Sequence, residues 1–470
     1  METVLKVAPW ETVFDNDLEA WVPEIWANES LMVLENAMVM MQLVHRDFSN
    51  EIQQFGDIVN TRRPGKFYAK RKGTNDDIES QDATAVNVAV PLDQHIYTSF
   101  IIRDGEESKG FRNLVNEYLV PAVVSMGRSA EQILLAQMHQ FQATSVGKLG
   151  TTPAKATLTA CNRALTENAV PSGPGMRNLI VTPSIEEAFL NIEEFTSAEK
   201  VGDDGSALRE ASLGRKFGLD TFMTQNAPSI TAAHTTTVDH LVNLIAGYPV
   251  GTTTLVTDSG AGALAVNTWV TIAGDDTPQL ITASTGSGPT TSITIEPGLK
   301  FAVLNNAVIT NYTPGDIDEA AGYAAGYQKE ITTSVFTVAP ENGQIVTFDD
   351  TINAGGIHGF IDGEGGGQSI TEILVDRPLE AAVSDADAVN VGPLGEYGFA
   401  FHRNAIAWVS RPLAEVRSET GVQSAVVNFN GLSIRVVITY DPVKQGHRVT
   451  VDMLAGVKVL DPDLGCLLYG

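Results

Sequence analysis

The eight histidines are the first candidates for metal binding or acid–base catalysis. None belongs to a His-Glu-x-x-His motif, and the closest pair, His234 and His240, has no carboxylate at the spacing of a metallopeptidase site. Ser287 lies between Gly286 and Gly288, which is the wrong spacing for a nucleophile elbow. A long chain without a catalytic constellation favours a structural or binding role, so we expect no enzyme and no catalytic, cofactor-binding or metal-binding residue.

The sequence also lacks motifs for phosphate binding and for thiol chemistry. The glycine cluster at 363–367 lacks the Lys-Ser/Thr pair that would make it a P-loop, which favours a surface loop. Two cysteines are too few for a disulfide scaffold or a multi-cysteine zinc module. Cys161 has no Cys or His near it in sequence, and Cys466 sits in an apolar run typical of a buried thiol.

One short segment has an unusual charge pattern, because six of the 30 basic residues fall within eleven positions and carboxylates follow at once. The basic members are Arg62, Arg63, Lys66, Lys70, Arg71 and Lys72, and the acidic members are Asp76, Asp77 and Glu79. Such a block suggests an extended hairpin arm that docks on complementary charge, for example on a neighbouring copy. A solvated hairpin explains the charges equally well. These nine residues are our candidate inter-subunit contacts.

Composition limits the partners that the chain can have. Its 470 residues correspond to about three domains, and its formal net charge of −27 repels nucleic acid and anionic membranes. Apolar residues at 43% and charged residues at 19% are globular values. The N-terminal sequence has no signal-peptide pattern and no apolar run is long enough to span a membrane, so we expect a soluble chain in a reducing cytosol.

The elements that must position these residues begin with helices. Apolar residues recur at helical spacing over 17–48, where a Met and Trp stripe could face a partner or pack on the chain's own body. Residues 109–142 give the strongest helical signal and predict a rod of about 50 Å that bends at Pro121 without ending there. Because no sustained heptad is present, this helix is more typical of a spine through the molecule than of a coiled coil.

The remaining sequence predicts mixed α/β structure with a separate β module. Residues 178–182 predict a buried strand followed by a helix from Pro183 to about residue 198. The Thr-rich, charge-poor stretch 251–310 predicts short strands in a small barrel or Greek key, inserted into another domain. Residues 432–440 and 447–454 flank a turn at Asp441-Pro442 and predict a β-hairpin.

In this order, the parts resemble the major capsid proteins of tailed bacteriophages with the Hong Kong 97-type fold, most closely the phage P-twenty-two branch. The first marker is 51–59 followed by Arg62-Arg63-Pro64, which looks like the entry into that branch's extended loop. The second is 399–407, similar to the segment leading from the axial domain into the last strands. The third comprises 431–437, Tyr440-Asp441, 451–458 and 462–466, which resemble the C-terminal strands of the peripheral domain.

The resemblance implies an α+β fold with an inserted small β-barrel. Its implied parts are an N-terminal helical arm at 1–50, an extended loop at 51–107, a spine helix at 108–145, a peripheral and axial α/β segment at 146–228, an inserted barrel domain at 229–345, an axial domain at 346–420 and C-terminal peripheral strands at 421–470. Residues 346–395 match no segment of the family.

The resemblance also implies a structural protein of the virion that self-assembles into hexamers and pentamers of an icosahedral shell. Implied partners are a scaffolding protein, a portal at one vertex, packaged double-stranded DNA bound without sequence specificity, and in some cases a decoration protein, with assembly in the host cytoplasm. Two alternatives stay open: a binding protein whose β module recognises a ligand such as a glycan, and an encapsulin-type compartment.

Overall fold

We describe a computed structural model of the chain. The structure describes residues 39–46, 58–63, 69–74, 77–78, 80–81, 86–104, 114–197, 210–211, 213–231, 235–258, 264–286, 292–312, 315–327, 329–334, 336, 340–341, 343–348, 354–362, 370–375, 377–411, 413–414, 423–429 and 432–470. The predicted N-terminal arm up to residue 38 lies outside them, as do 105–113.

The described residues form few helices and many strands. The helices are α1 Met40–Leu43, α2 Leu114–Ala136, α3 Lys155–Glu167, α4 Pro183–Leu190 and α5 Glu193–Thr196, with 3₁₀ segments at Gln137–Phe141, Arg403–Ala405 and Pro462–Leu464. The strands are β1 Ile58–Arg63, β2 Val86–Pro91, β3 Gln94–Arg103, β4 Ser145–Gly147, β5 Arg177–Val181, β6 Arg215–Lys216, β7 Leu219–Met223, β8 Ser229–Ile230, β9 Thr235–Val242, β10 Thr254–Asp258, β11 Trp269–Ile272, β12 Gln279–Thr285, β13 Ser292–Glu296, β14 Val308–Tyr312, β15 Gly315–Asp316, β16 Ile331–Thr332, β17 Ile345–Phe348, β18 Ala354–Asp362, β19 Ile370–Val375, β20 Ala388–Val391, β21 Gly395–His402, β22 Ile406–Arg411, β23 Gln423–Phe429, β24 Leu432–Asp441, β25 Gly446–Val459 and β26 Gly465–Tyr469.

The predicted spine is α2, which runs through Pro121 as expected. It has 23 residues and is therefore about 35 Å long. The α-helix ends at Ala136, and the remainder of the predicted rod continues as the 3₁₀ segment Gln137–Phe141. Buried side chains of α2 such as Met126 and Leu134 pack against aromatic residues of two sheets in the largest hydrophobic core.

A five-stranded antiparallel sheet lies on one side of that core. It has the order β22-β25-β24-β23, with β3 paired to the long strand β25 over ten residues, from Gly446 opposite Arg103 to Ala455 opposite Gln94. The predicted C-terminal hairpin is confirmed as β24 and β25. Strand β3 follows β2 after two residues, so this sheet lies at the base of the predicted hairpin arm.

A seven-stranded mixed sheet, β4-β26-β21-β5-β7-β6 with β8 beside β21, forms the α/β body. The predicted strand is β5, all five of whose residues are buried. Thr182 caps the following helix by accepting a hydrogen bond from Ile185 N at 3.2 Å. That helix is shorter than predicted, because α4 ends at Leu190 and the short α5 follows after Ile192.

The predicted barrel is confirmed as a closed six-stranded barrel of order β10-β13-β12-β11-β14-β9, which includes both strands named from the sequence. It closes with Tyr312, earlier than the predicted boundary at 345. Residues 315–391 instead form a further six-stranded sheet, β15-β20-β17-β18-β19-β16. The stretch 346–420, predicted as one axial domain, therefore contributes strands to three different sheets, because its hydrogen-bond partners lie in different parts of the chain.

Candidate functional site

The hairpin arm is the first candidate, and β1 and β2 form it as a two-stranded sheet of their own. Arg62 and Arg63 are the last residues of β1 and pair with Asn87 and Val86 of β2. Between the strands, Lys70, Arg71, Lys72 and Asp77 are exposed. Lys66, Asp76 and Glu79 lie outside the described residues. The structure thus brings the described members of the charged block to the outer end of one hairpin, and their role as contacts stays a prediction.

The base of the arm is fixed on the five-stranded sheet. Val90 is fully buried and packs with Ala407 and Val409 of β22. A Cβ atom on Gly456 would overlap the carbonyl oxygen of Pro91, so the backbones of β2 and β25 approach more closely than any other residue type would allow. The arm therefore leaves the body at a defined place.

An ion pair joins three strands beneath the arm. Arg435 of β24 binds both carboxylate oxygens of the buried Asp452 of β25, with Nε–Oδ1 at 3.0 Å and Nη2–Oδ2 at 2.5 Å. His95 of β3 lies 3.3 Å from the same carboxylate. The hydrogen bonds that Arg435 donates to Asp452 raise the pKa of Arg435. This bidentate geometry fixes β24 against β25. The ten-residue pairing of β3 with β25 and the His95 contact hold β3, and with it the hairpin arm, on the same sheet.

A buried carboxylate on the spine, Glu131, binds two separate segments of the chain, 39–40 and 224–226. Its Oε1 accepts the backbone N–H groups of Val39 and Met40, each at 3.0 Å, and the hydroxyl of Thr224 at 3.3 Å. Its Oε2 accepts from Asn226 Nδ2 at 2.9 Å. Burial raises the pKa of Glu131, and the hydrogen bonds from Met40, Asn226, Val39 and Thr224 oppose that rise. Glu131 thereby fastens the first described residues, which belong to the predicted N-terminal arm at 1–50, to the spine.

The inserted barrel is joined to the body by specific polar contacts. Lys300 Nζ donates to the carbonyl of Ala143 at 2.7 Å, and Leu149 N donates to the carbonyl of Asp276 at 2.9 Å. Lys148 Nζ lies 3.5 Å from Asp276 Oδ2. Burial lowers the pKa of Lys300. These bonds link the barrel to the chain just after the spine.

Next to these contacts between the barrel and the body, Asp275 is fully buried and binds loop residues of the barrel itself. It accepts hydrogen bonds from the backbone N–H groups of Lys300 at 3.0 Å and Phe301 at 2.6 Å, and from the hydroxyl of Thr277 at 2.6 Å. Burial raises the pKa of Asp275, against the effect of these bonds. A groove of about 850 Å³ runs beside the junction between His139, Glu296 and neighbouring residues.

The described residues hold no group of three or more His, Cys, Asp or Glu side chains that could bind a metal ion. Within the same ranges, no helix is long and apolar enough to cross a membrane. Cys161 and Cys466, far apart in sequence, are both buried with Sγ atoms 3.3 Å apart. The sequence predicted the burial of Cys466 but not this contact, because nothing in either local sequence indicates which strand lies beside α3.

Comparisons with known proteins gave no match to any family model and none to a curated protein. Among solved structures, the chain is similar to one from Mycobacterium phage Che8, with 12% identity, a TM-score of 0.42 and coverage of 92% of this chain and 90% of that one. It is similar to the capsid of cyanophage P-SCSP1u, with 11% identity, a TM-score of 0.44 and coverage of 92% and 88%. A virus-like particle from Pyrococcus furiosus gives 10% identity, a TM-score of 0.36 and coverage of 95% and 98%.

Proposed function

We propose that this chain is the major capsid protein of a tailed bacteriophage, a structural subunit that self-assembles into hexamers and pentamers of an icosahedral shell around double-stranded DNA. The order of elements supports this: a hairpin arm, a long spine helix and a mixed α/β body with an inserted barrel come first. The last strands then join the five-stranded and the seven-stranded sheets. It is the order that the sequence resemblance implies.

The observation that carries the proposal is the arm itself. A two-stranded hairpin is at best marginally stable in water unless it packs on something. Here the base of the hairpin is buried, as Val90 shows, whereas Lys70, Arg71 and Lys72 are exposed between its strands. An arm with one anchored end and a basic outer end suits a subunit whose neighbour supplies the remaining contacts, and each copy offers an excess of carboxylates for them.

The net charge of −27 fits the same role. A strongly basic wall would bind the phosphates of packaged DNA through counterion release and hold the DNA against the shell. An acidic wall encloses DNA without clinging to it. The proposal further includes a non-enzymatic role, a scaffolding protein and a portal as assembly partners, an optional decoration protein, and assembly in the bacterial cytoplasm.

Electron microscopy of the purified chain in negative stain tests the proposal. We expect closed shells, tubes or capsomers, accompanied by fast-sedimenting species in the ultracentrifuge. Monodisperse monomers at high protein concentration would contradict it and favour the ligand-binding alternative.

A charge-reversal variant tests the role of the arm. Changing Arg62, Arg63, Lys66 and Lys70 to Glu should impair assembly while the subunit stays folded, since the basic block would then repel an acidic neighbour. The matched control reverses the same number of charges at Lys155, Arg163, Lys329 and Lys458, which are exposed basic residues outside the arm. Normal shells from the arm variant would contradict the docking role, and so would equal losses in both variants.

A further inference from the structure

The inserted barrel and the sheet that follows it have the same topology. Read from one edge, the barrel has the order β10-β13-β12-β11-β14-β9, and the second sheet has the order β16-β19-β18-β17-β20-β15. Each strand of the second is the strand of the first with six added to its number. The barrel closes where Thr257 pairs with Val242, and a bridge between Ile317 and Thr333 joins the corresponding edges of the second sheet.

The loops that follow the first strand of each unit match in detail. Ala246-Gly247-Tyr248 in the first unit corresponds to Ala321-Gly322-Tyr323 in the second. Gly247 and Gly322 have φ angles of +65° and +60°. Each donates its N–H over 2.7 Å to the carbonyl three residues earlier, that of Leu244 or Glu319. The two tyrosine hydroxyls accept equivalent backbone hydrogen bonds, from Val256 N at 2.8 Å and Thr332 N at 2.7 Å.

The second halves of the units match as well. Leu299 corresponds to Leu379 and Val303 to Val383, and all four side chains are buried. Tyr248 forms a β-bridge with Val303, as Tyr323 does with Val383. Residues 235–312 and 315–391 are therefore two tandem copies of one barrel, which also accounts for the stretch 346–391 that no part of the family resemblance covers.

The two copies differ at one end. We call the apolar tip the four exposed residues Leu244, Ile245, Val250 and Leu304, with exposed fractions of 38%, 94%, 63% and 76%. Their counterparts in the second copy are Glu319, Ala320, Ala325 and Ser384. Because the second copy forms the same turns with Glu, Ala and Ser, the fold does not require large apolar residues there. Their exposure in the first copy is typical of a surface that another molecule covers.

The loops of the apolar tip and the corresponding loops of the second copy also differ in charge. The loops of the apolar tip, 242–251 and 299–308, contain no carboxylate, and their one charged residue, Lys300, donates to Ala143 in the body. The corresponding loops of the second copy contain Asp318, Glu319, Glu380, Asp385 and Asp387. Two copies of a chain with net charge −27 repel each other, so a carboxylate-free apolar surface is a place where they can touch at low electrostatic cost.

We infer that the apolar tip docks on a second copy of this chain. Four side chains cover far less than the ~800 Å² per partner of a stable dimer interface, so the contact is weak alone and gains its strength when many copies assemble. The inference rests on the proposed shell function, and the second barrel copy supplies its internal control.

Replacing two tip residues by their counterparts in the second copy, Ile245→Ala and Leu304→Ser, tests the inference. We expect an unchanged melting temperature of the free subunit and a critical concentration for shell assembly raised about tenfold, because one or two buried apolar side chains are worth at least that factor. The control is Val443→Ser, another highly exposed apolar residue at 89%. Unchanged assembly by the tip variant, or an equal effect of the control, would overturn the inference.

Photocrosslinking separates this inference from the shell proposal. A benzophenone amino acid at position 245 should give covalent dimers of the chain, and one at the equivalent position 320 should give far fewer. If the wild-type chain forms no shells, the shell proposal fails, and crosslinking of the concentrated soluble protein still tests the tip. No dimers at position 245, equal yields at both positions, or crosslinks only to other proteins would refute docking on a second copy.

Discussion

Removing the carboxylate of Glu131 should release the segment 39–46 from the spine without unfolding the body. Glu131→Ala leaves the N–H groups of Val39 and Met40 and the amide of Asn226 without their acceptor. Glu131→Gln keeps an oxygen for both N–H groups. Its new amide can donate to Asn226 Oδ1, which has no partner among the described residues, once that side chain turns over.

The two variants should therefore differ strongly. Each buried donor left unpaired costs about 1–3 kcal/mol, so we expect the free energy of local opening of 39–46 to fall by about 3 kcal/mol in the Ala variant. The Gln variant should match the wild type at neutral pH or exceed it, because burial raises the pKa of Glu131 and the ionised form is the costly one.

Hydrogen exchange measured by mass spectrometry reads this out segment by segment. Exchange in 39–46 should be about a hundredfold faster in Glu131→Ala, which is the rate ratio for about 3 kcal/mol, and unchanged in the exposed control Glu187→Ala. Exchange in the Ala variant equal to the wild type, or in the Gln variant as fast as in Ala, would refute the role of Glu131 as an anchor.

The same carboxyl predicts a pH dependence. Since the folded-state pKa of Glu131 lies above its unfolded value, the folded state holds the proton where the unfolded chain has released it. Its contribution to stability is therefore fully present below the ordinary pKa of Glu and is lost as the pH rises through the raised one. Glu131→Gln should remove this part of the pH profile, measured as exchange corrected for the intrinsic rate.

The geometry leads us to expect three further results, two for substitutions and one for the wild-type cysteines. Gly456→Ala should lower the melting temperature and loosen the arm, since its Cβ overlaps the Pro91 carbonyl at a cost of about 1–3 kcal/mol; an unchanged melting temperature would show that the strands can separate freely. Asp452→Asn should destabilise the five-stranded sheet by about 2 kcal/mol by leaving Arg435 without its bidentate partner, as measured by chemical denaturation. The two buried cysteines should react with a thiol reagent only after denaturant is added, and rapid reaction of the native chain would contradict their burial.

Local patterns predicted the elements whose sequence signal is periodic. The spine, the strand β5 and the barrel strand Trp269–Ile272 all occur where apolar spacing placed them. Their ends were less accurate: the helix signal extends to 142, whereas the last turn is 3₁₀. The apolar spacing does not reveal the change from α-helix to 3₁₀ helix, because apolar residues such as Phe141 continue to face the core.

Contacts between distant segments could not be predicted in this way. Nothing near Glu131 in sequence indicates its role, because its partners lie about 90 residues away in both directions. The tandem barrel did leave a signal, the repeated Ala-Gly-Tyr at 246–248 and 321–323. Alternation does not reveal the second copy, because β15 and β16 have only two residues each and all four residues of β17 are buried.

Carboxylates in this acidic chain divide into two populations with different effects. Glu131, Asp275 and Asp452 are buried where separate segments meet, and each is surrounded by backbone N–H groups or by an arginine. There the carboxylate oxygens hold segments together within one subunit by accepting hydrogen bonds. Exposed carboxylates such as Asp318 and Asp385 on the second barrel copy contribute to the charge repulsion between copies of the chain. Under the proposed shell function, subunits would attract each other at two surfaces, the basic outer end of the arm and the carboxylate-free apolar tip. We therefore expect changes at these two places to impair assembly without impairing folding.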